Sequence, residues 1–296
     1  MTDSSRAELL APGWTERFVT ANGVRLHVVE AGPADGPPLI LLHGFPEFWW
    51  AWRKQIGPLA AAGFHVIVPD MRGYNLSEVV EGVDAYRIDV LANDVAGIAD
   101  ALGIGRFHLV AHDWGGLVAW WTAVRHAERI DRLVVMDAPH PDVWGPQALK
   151  HPTQVLRSTY AMFFQLPWAP EAMLGSFDHA GLRAMMEKTA RKDAFAPGDL
   201  DRYVEAWSHQ PGSLTAMLNY YRALGRREKT SLPPRITAPT LVLWGEHDGA
   251  LELHLAEASV NLCDDARLEV IAGTTHWLHL EEPDRIASAI IAHLSG

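Results

Sequence analysis

The stretch Phe107-His108-Leu109-Val110-Ala111-His112-Asp113-Trp114-Gly115-Gly116-Leu117-Val118-Ala119-Trp120-Trp121 decides the fold of this chain. Its apolar start reads as a strand, and Leu117 onward reads as a helix. Between them, small residues stand two before and two after Asp113. That is the strand–turn–helix layout of a nucleophile elbow, with aspartate where serine is usual. The exchange changes the bond that is made. A serine hydroxyl attacks a carbonyl carbon. A carboxylate suits a strained or activated sp3 carbon and leaves an ester between substrate and protein. Asp beside Gly also has a purely structural use, because it bonds its own backbone in turns and tolerates unusual dihedrals. The rest of the sequence weighs between the two uses.

Upstream, residues 24–30 alternate in polarity and follow the Asn22-Gly23 turn, as an antiparallel strand would. Residues 38–42 and 64–68 are continuous apolar runs of the kind found in buried parallel strands. Residues 49–62 read as a helix, and Ile88, Leu91, Val95, Ile98 and Leu102 recur at helical spacing. Downstream, residues 133–136, 240–244 and 268–271 are short strands, and 283–294 closes the chain as a helix. Strands alternating with helices imply an α/β fold with a mostly parallel, doubly wound sheet.

The alternation breaks between about His140 and Ser231. That stretch holds helical patterns at 153–164, 179–189, 197–208 and 212–222 and no strand pattern. It reads as a helical cap (140–230) inserted in a core made of 1–139 and 231–296, with its exit marked by Pro233-Pro234 and Pro239.

The net charge of -11 argues against nucleic acid and anionic membrane surfaces as partners. The single cysteine, Cys263, excludes an intrachain disulfide and a cysteine-based metal cluster. Met1 to Leu10 is polar and lacks a signal-peptide apolar stretch, and no apolar run is long enough to span a bilayer. A soluble, cytoplasmic protein is expected, with a monomer or a homodimer equally open.

An aspartate nucleophile needs a base to activate water, and the base needs an orienting acid. The chain order established for such elbows is nucleophile, acid, histidine. His276, in Gly273-Thr274-Thr275-His276-Trp277 after the last strand, stands where the base is expected, although it is one of 15 histidines. Two acids compete to orient it. Asp248 follows the penultimate strand and completes the chain order, which favours it. Asp137 ends the strand before the cap and remains the alternative. Both lie at carboxyl ends of strands, where sites in open α/β sheets form. The loop His43-Gly44-Phe45-Pro46-Glu47 follows another such strand. The backbone N–H of Phe45, with that of Trp114, would form an oxyanion hole.

These segments together resemble the α/β-hydrolase-fold epoxide hydrolases: His43-Gly44-Phe45-Pro46-Glu47, His112-Asp113-Trp114-Gly115-Gly116, Asp248 and Gly273-Thr274-Thr275-His276-Trp277. The resemblance runs from about Trp14 to the end. Haloalkane and haloacetate dehalogenases are close relatives with the same aspartate nucleophile, so the core motifs do not choose among them. In the epoxide hydrolases two cap tyrosines donate hydrogen bonds to the epoxide oxygen. The contexts Tyr160-Ala161-Met162-Phe163-Phe164-Gln165 and Leu218-Asn219-Tyr220-Tyr221-Arg222 resemble theirs, which maps the pair onto Tyr160 and Tyr221. Epoxide opening creates an alkoxide that two phenols can stabilise and one can protonate.

The dehalogenase pattern fits less well. Phe45 offers no side-chain halide donor after Gly44. Trp114 and Leu117 stand where fluoroacetate dehalogenases carry arginines, and Thr159-Tyr160 stands where their cap His-Trp pair falls. One feature points the other way: Asp137 occupies the position of the fluoroacetate dehalogenase acid, where epoxide hydrolases usually carry Asn.

The resemblance therefore implies hydrolysis of a small apolar epoxide to a diol, with no metal or organic cofactor. The pocket is expected to be lined by Trp114, Met162, Phe163 and Trp277. A dehalogenase is the alternative, and a catalytically silent binding protein is a third reading, disfavoured by a full nucleophile–base–acid set.

Overall fold

A computed structural model describes residues 9–229 and 235–296. The Pro233-Pro234 exit of the insertion, the 230/231 boundary and the first eight residues lie outside the described residues.

Eight strands form one sheet in the order β1-β2-β4-β3-β5-β6-β7-β8. They are β1 (Thr15–Ala21), β2 (Val24–Ala31), β3 (Pro38–Leu42), β4 (His65–Pro69), β5 (Phe107–His112), β6 (Ile130–Met136), β7 (Thr240–Gly245) and β8 (Ala266–Ile271). β1, β2 and β4 pair antiparallel, and every pair from β4 across to β8 is parallel. β3, β5, β6 and β7 are buried along most of their length, as central strands covered on both faces must be.

β1 has no counterpart in the strand pattern read from the sequence. It is an edge strand whose side chains are mostly half-buried or exposed, so its apolar signal is weak. Its hairpin to β2 turns at Asn22 and Gly23, both at positive φ, as a two-residue turn matching the strand twist requires.

The core helices are α1 (Arg53–Ala61), α2 (Ile88–Ala101) and α3 (Asp113–Arg125). The stretch 49–62, read as one helix, opens with a 3-10 turn at Trp49–Trp52. Between β6 and β7 the chain forms α4 (Trp144–Ala148), α5 (Pro152–Arg157), α6 (Thr159–Phe163), α7 (Ala169–Thr189), α8 (Asp199–Trp207) and α9 (Ser213–Arg222). The segment read as one helix over 153–164 is broken at Ser158. α7 is interrupted at Ser176 to His179, where Phe177, Asp178 and His179 are left-handed. α10 (Leu253–Val260), α11 (Leu278–Glu281) and α12 (Pro283–Ser295) complete the chain. No helix among the described residues is long and apolar enough to cross a membrane.

Candidate active site

Asp113 lies between β5 and α3 with φ +50, a left-handed backbone that the surrounding packing must enforce. Two glycines make that turn fit. A Cβ on Gly115 would fall 2.5 Å from the Leu42 carbonyl oxygen, and one on Gly44 would fall 2.5 Å from the Asp113 Cβ. The elbow is thereby tucked against the end of β3, and the 44–47 loop comes within reach of the carboxylate. The Phe45 N–H donates to Asp113 Oδ1 at 2.7 Å. The Trp207 indole on α8 donates to the Pro46 carbonyl and holds that loop from the helical side.

His276 approaches from the loop after β8. Its Nδ1 lies 2.8 Å from Asp248 Oδ2, and its Nε2 lies 3.5 Å from Asp113 Oδ2. Asp248 Oδ1 accepts the N–H groups of Ala250 and Leu251 at 2.7 and 2.9 Å, so its carboxylate is fixed on both sides. Burial alone would deprotonate His276, but the Asp248 charge and the hydrogen bonds to both carboxylates raise its pKa well above the usual value. Burial would push the Asp113 carboxyl up, but His276 and the Phe45 N–H hold it below the ordinary carboxylate range. The pair is thus an imidazolium facing a carboxylate.

Asp137 is also beside His276. One of its oxygens and one ring nitrogen from each of His276 and His112 lie within 4.8 Å of one another. It makes no hydrogen bond to the imidazole. Its Oδ1 accepts the Gly245 N–H at 2.8 Å, and its Oδ2 is buried without a partner. Burial, reinforced by the charge of Asp248, drives its pKa well above that of an ordinary carboxyl, which favours its neutral form.

Behind the elbow lies a fully buried cluster that sequence reading gave no role. Glu47 lies 3.0 Å from both His112 Nδ1 and His279 Nε2, and His112 Nε2 lies 2.8 Å from the His276 carbonyl oxygen. The 44–47 loop, the elbow and the loop carrying His276 are therefore tied together from within. His112 beside the nucleophile and Glu47 at the end of His-Gly-Phe-Pro-Glu were the only local signals of it.

A cavity of about 640 Å3 opens in front of Asp113. Trp114, Tyr160, Met162 and Tyr221 line it, with Leu117, Tyr220 and Gln165. The Tyr160 and Tyr221 rings, brought from α6 and α9, are 6.0 Å apart, and Trp114 stands 5.0 Å from Tyr221. Burial and the charge of Asp113 push both phenols above the usual tyrosine pKa, so they remain proton donors. Gln165 donates to the Tyr221 carbonyl at 2.9 Å and links the two helices.

Phe163 and Trp277, expected in the lining, do not line this cavity. Phe163 sits against Phe164, while Tyr160, Ala161 and Gln165 take the cavity-facing positions. Trp277 is buried behind His276 and donates its indole N–H to Thr189 at 2.9 Å.

The chain matches the family model of the alpha/beta hydrolase fold over residues 37–283. It is 42% identical over 280 residues to the AB hydrolase superfamily protein YfhM of Bacillus subtilis, spanning 95% of this chain and 98% of that protein. It is 36% identical over 278 residues to human epoxide hydrolase 4, spanning 91% of this chain and 75% of the relative. A solved structure of Bacillus megaterium epoxide hydrolase in complex with an inhibitor superposes with a TM-score of 0.87 at 28% identity, covering 95% of this chain and all of that one. With an aspartate at its elbow and identity of this extent along nearly the whole chain, the protein belongs to the α/β-hydrolase family, within its epoxide hydrolases.

Proposed function

We propose that this enzyme hydrolyses a small, largely apolar epoxide to a vicinal diol through an ester on Asp113. The observation that carries the reading is the placing of Tyr160 and Tyr221 with Asp113 around one cavity. A ring carbon held between them meets a nucleophile on one side and two donors on the other. The 140–230 insertion acts as the cap that supplies those donors.

In the first step Asp113 Oδ2 attacks an epoxide carbon and the C–O bond breaks. The departing oxygen is stabilised by both phenols and takes a proton from one of them. Asp113 Oδ1 stays on the Phe45 N–H. The Trp114 N–H, in the first turn of α3 where amides lack helical partners, completes the hole.

The ester removes the negative charge facing His276. One of the two carboxylates that held its proton is gone, so the imidazolium pKa falls; its Nε2 proton passes through water to the tyrosinate left by the first step, and the neutral ring is then a base. Asp248 keeps Nδ1 protonated and leaves Nε2 to take a proton from water. Water attacks the Asp113 ester carbonyl, the oxyanion rests on the Phe45 and Trp114 amides, and collapse expels the diol and restores the carboxylate. Formation of the ester thus switches on the base that destroys it.

The test is a single turnover of styrene oxide in heavy-oxygen water, followed by peptide mapping. Label in Asp113, and Asp113→Ala without turnover, are the expected results. Solvent oxygen placed directly in the diol in that first turnover would remove the ester from the mechanism. Parallel assays with a haloalkane and fluoroacetate test the substrate class, because halide release faster than diol formation would transfer the same nucleophile to a dehalogenase.

A further inference from the structure

The insertion meets the core a second time, away from the reacting atoms, where α5 docks beside the start of α10. His151 stands at the N-terminus of α5, Glu252 at that of α10, and His254 lies in its first turn. The His151 and His254 rings stack with centroids 3.7 Å apart. His254 Nδ1 lies 3.3 Å from Glu252 Oε2. One ligand-type atom from each of the three residues lies within 4.8 Å of the others, and all three side chains are half-buried and reachable from solvent.

We propose that His151, Glu252 and His254 form a binding site for one divalent transition-metal ion, of the zinc type, that bridges the cap to the core. Two imidazoles and a carboxylate are a donor set suited to Zn2+, Co2+ or Ni2+ rather than to Mg2+ or Ca2+. Tetrahedral coordination at about 2.1 Å places donors about 3.4 Å apart, inside the 4.8 Å that already bounds the three ligand-type atoms. Water completes the coordination.

The surroundings are already arranged. Arg157 holds Glu252 Oε1 at 3.2 Å, Thr153 donates to Oε2, and Gln154 accepts the Glu252 N–H. These contacts fix the carboxylate from the cap side while its own backbone belongs to the core. His254 Nε2 is buried without a partner. The other two clusters of ligand-type side chains among the described residues are unlike this one. Glu47, His112 and His279 are sealed from solvent and bonded to each other, and the group containing His276 is the active site itself.

The consequence is a clasp on the cap. α5 leads through Ser158 into α6, which carries Tyr160, and Arg157 also donates to the Asp248 carbonyl at 2.7 Å. An ion at this position would bind the helix before one catalytic tyrosine to the loop of the orienting acid. The inference does not depend on the assignment of the epoxide chemistry.

The experiment uses the full chain without an affinity tag, stripped with a chelator and titrated with Zn2+ by calorimetry near neutral pH. One ion per chain is expected, with a rise in melting temperature. His151→Ala and His254→Gln should each weaken binding by at least about tenfold and cancel that rise. His276→Gln should bind the ion as the parent does. The unaltered chain provides a readout that needs no variant: Zn2+ should protect His151 and His254 from diethyl pyrocarbonate, read by peptide mapping. Absence of binding, protection of other histidines, or loss of the ion in His276→Gln alone would overturn the site.

Discussion

His276 Nε2 stands 3.5 Å from Asp113 Oδ2, while its Nδ1 is 2.8 Å from Asp248. The unequal distances suit unequal tasks. The short contact fixes ring orientation and tautomer. In the proposed mechanism the long one leaves Asp113 free to move toward a substrate carbon, with room for water once the ester has formed. The same contacts make the ring acidic or basic according to the charge on Asp113, and this gives the half-reactions different pH dependences.

His276→Gln should form the ester and fail to break it, because only water activation is lost. An intact-mass increase equal to the substrate should persist for minutes. In the unaltered enzyme, acidification should make the same adduct accumulate. Asp113 is held below the ordinary carboxylate range and continues to attack, while the His276 of the ester form regains its proton and stops working as a base. Rapid-quench mass spectrometry across acidic pH reads both phases. Parallel loss of formation and breakdown would contradict the switch.

The two acids beside His276 separate by substitution. Asp248→Asn removes the charge that orients Nδ1–H and should slow ester breakdown by up to about ten-thousandfold. Asp137→Asn replaces a neutral carboxyl by an amide of the same shape whose oxygen can still accept the Gly245 N–H. It should change turnover by less than about tenfold, or about 1.4 kcal/mol. Stopped-flow measurement of the second phase checks both, and the reverse ranking would hand the orienting role to Asp137.

The parts of this site that were legible in the sequence are those with local causes. The elbow could be read because its two glycines, demanded by close contacts with the ends of the neighbouring strands β3 and β6, mark it in the sequence, and Asp248 and His276 because each follows a strand of the parallel sheet. What sequence reading missed depends on distant neighbours. Nothing near Phe163 says that Ala161 on α6 and Gln165 just after it, not Phe163, face the cavity. Nothing near Trp277 announces Thr189 as its hydrogen-bond partner. The break at Ser158 and the left-handed run in α7 likewise lie inside stretches with good helical patterning. β1 escaped notice because an edge strand wetted on one face carries little apolar contrast.

A separate prediction concerns stability. His27 on β2 is fully buried, with Nδ1 2.8 Å from Asp70 and Nε2 3.0 Å from Glu16. Burial disfavours its charge, but the hydrogen bonds to these two carboxylates outweigh it and lift the pKa to about 9. The folded chain therefore binds this proton more tightly than the unfolded chain does. Its contribution is complete below pH of about 6.5, where both states are protonated, and disappears as pH rises through about 9. The lift corresponds to about 3 kcal/mol. Urea midpoints for the parent should fall over that window, and His27→Gln, already less stable at low pH, should show a much flatter profile. Equal slopes would exclude a charged His27.

The tyrosines decide the substrate class. Both are held protonated by burial and by the Asp113 charge, so under the proposed mechanism both reach the transition state as donors. An epoxide oxygen leaves as a strong base, and each preorganised donor to such an oxyanion contributes on the order of 3 kcal/mol, or about a hundredfold in rate. Tyr160→Phe and Tyr221→Phe should each slow ester formation by about that factor. The double variant should nearly abolish it, and breakdown of any ester formed should be unaffected, since His276 and Asp248 are untouched. Neither change opens a cavity, because the ring remains: Tyr221 keeps its packing against Trp114 and Phe45, and Tyr160 keeps its contact with Phe164. A halide departs as a weak base and needs no proton, so carbon–halogen cleavage would tolerate both substitutions. Pre-steady-state rates of ester formation with styrene oxide provide the measurement. Wild-type rates in the double variant would show that the phenols do not meet the departing oxygen, and would withdraw the epoxide from this site.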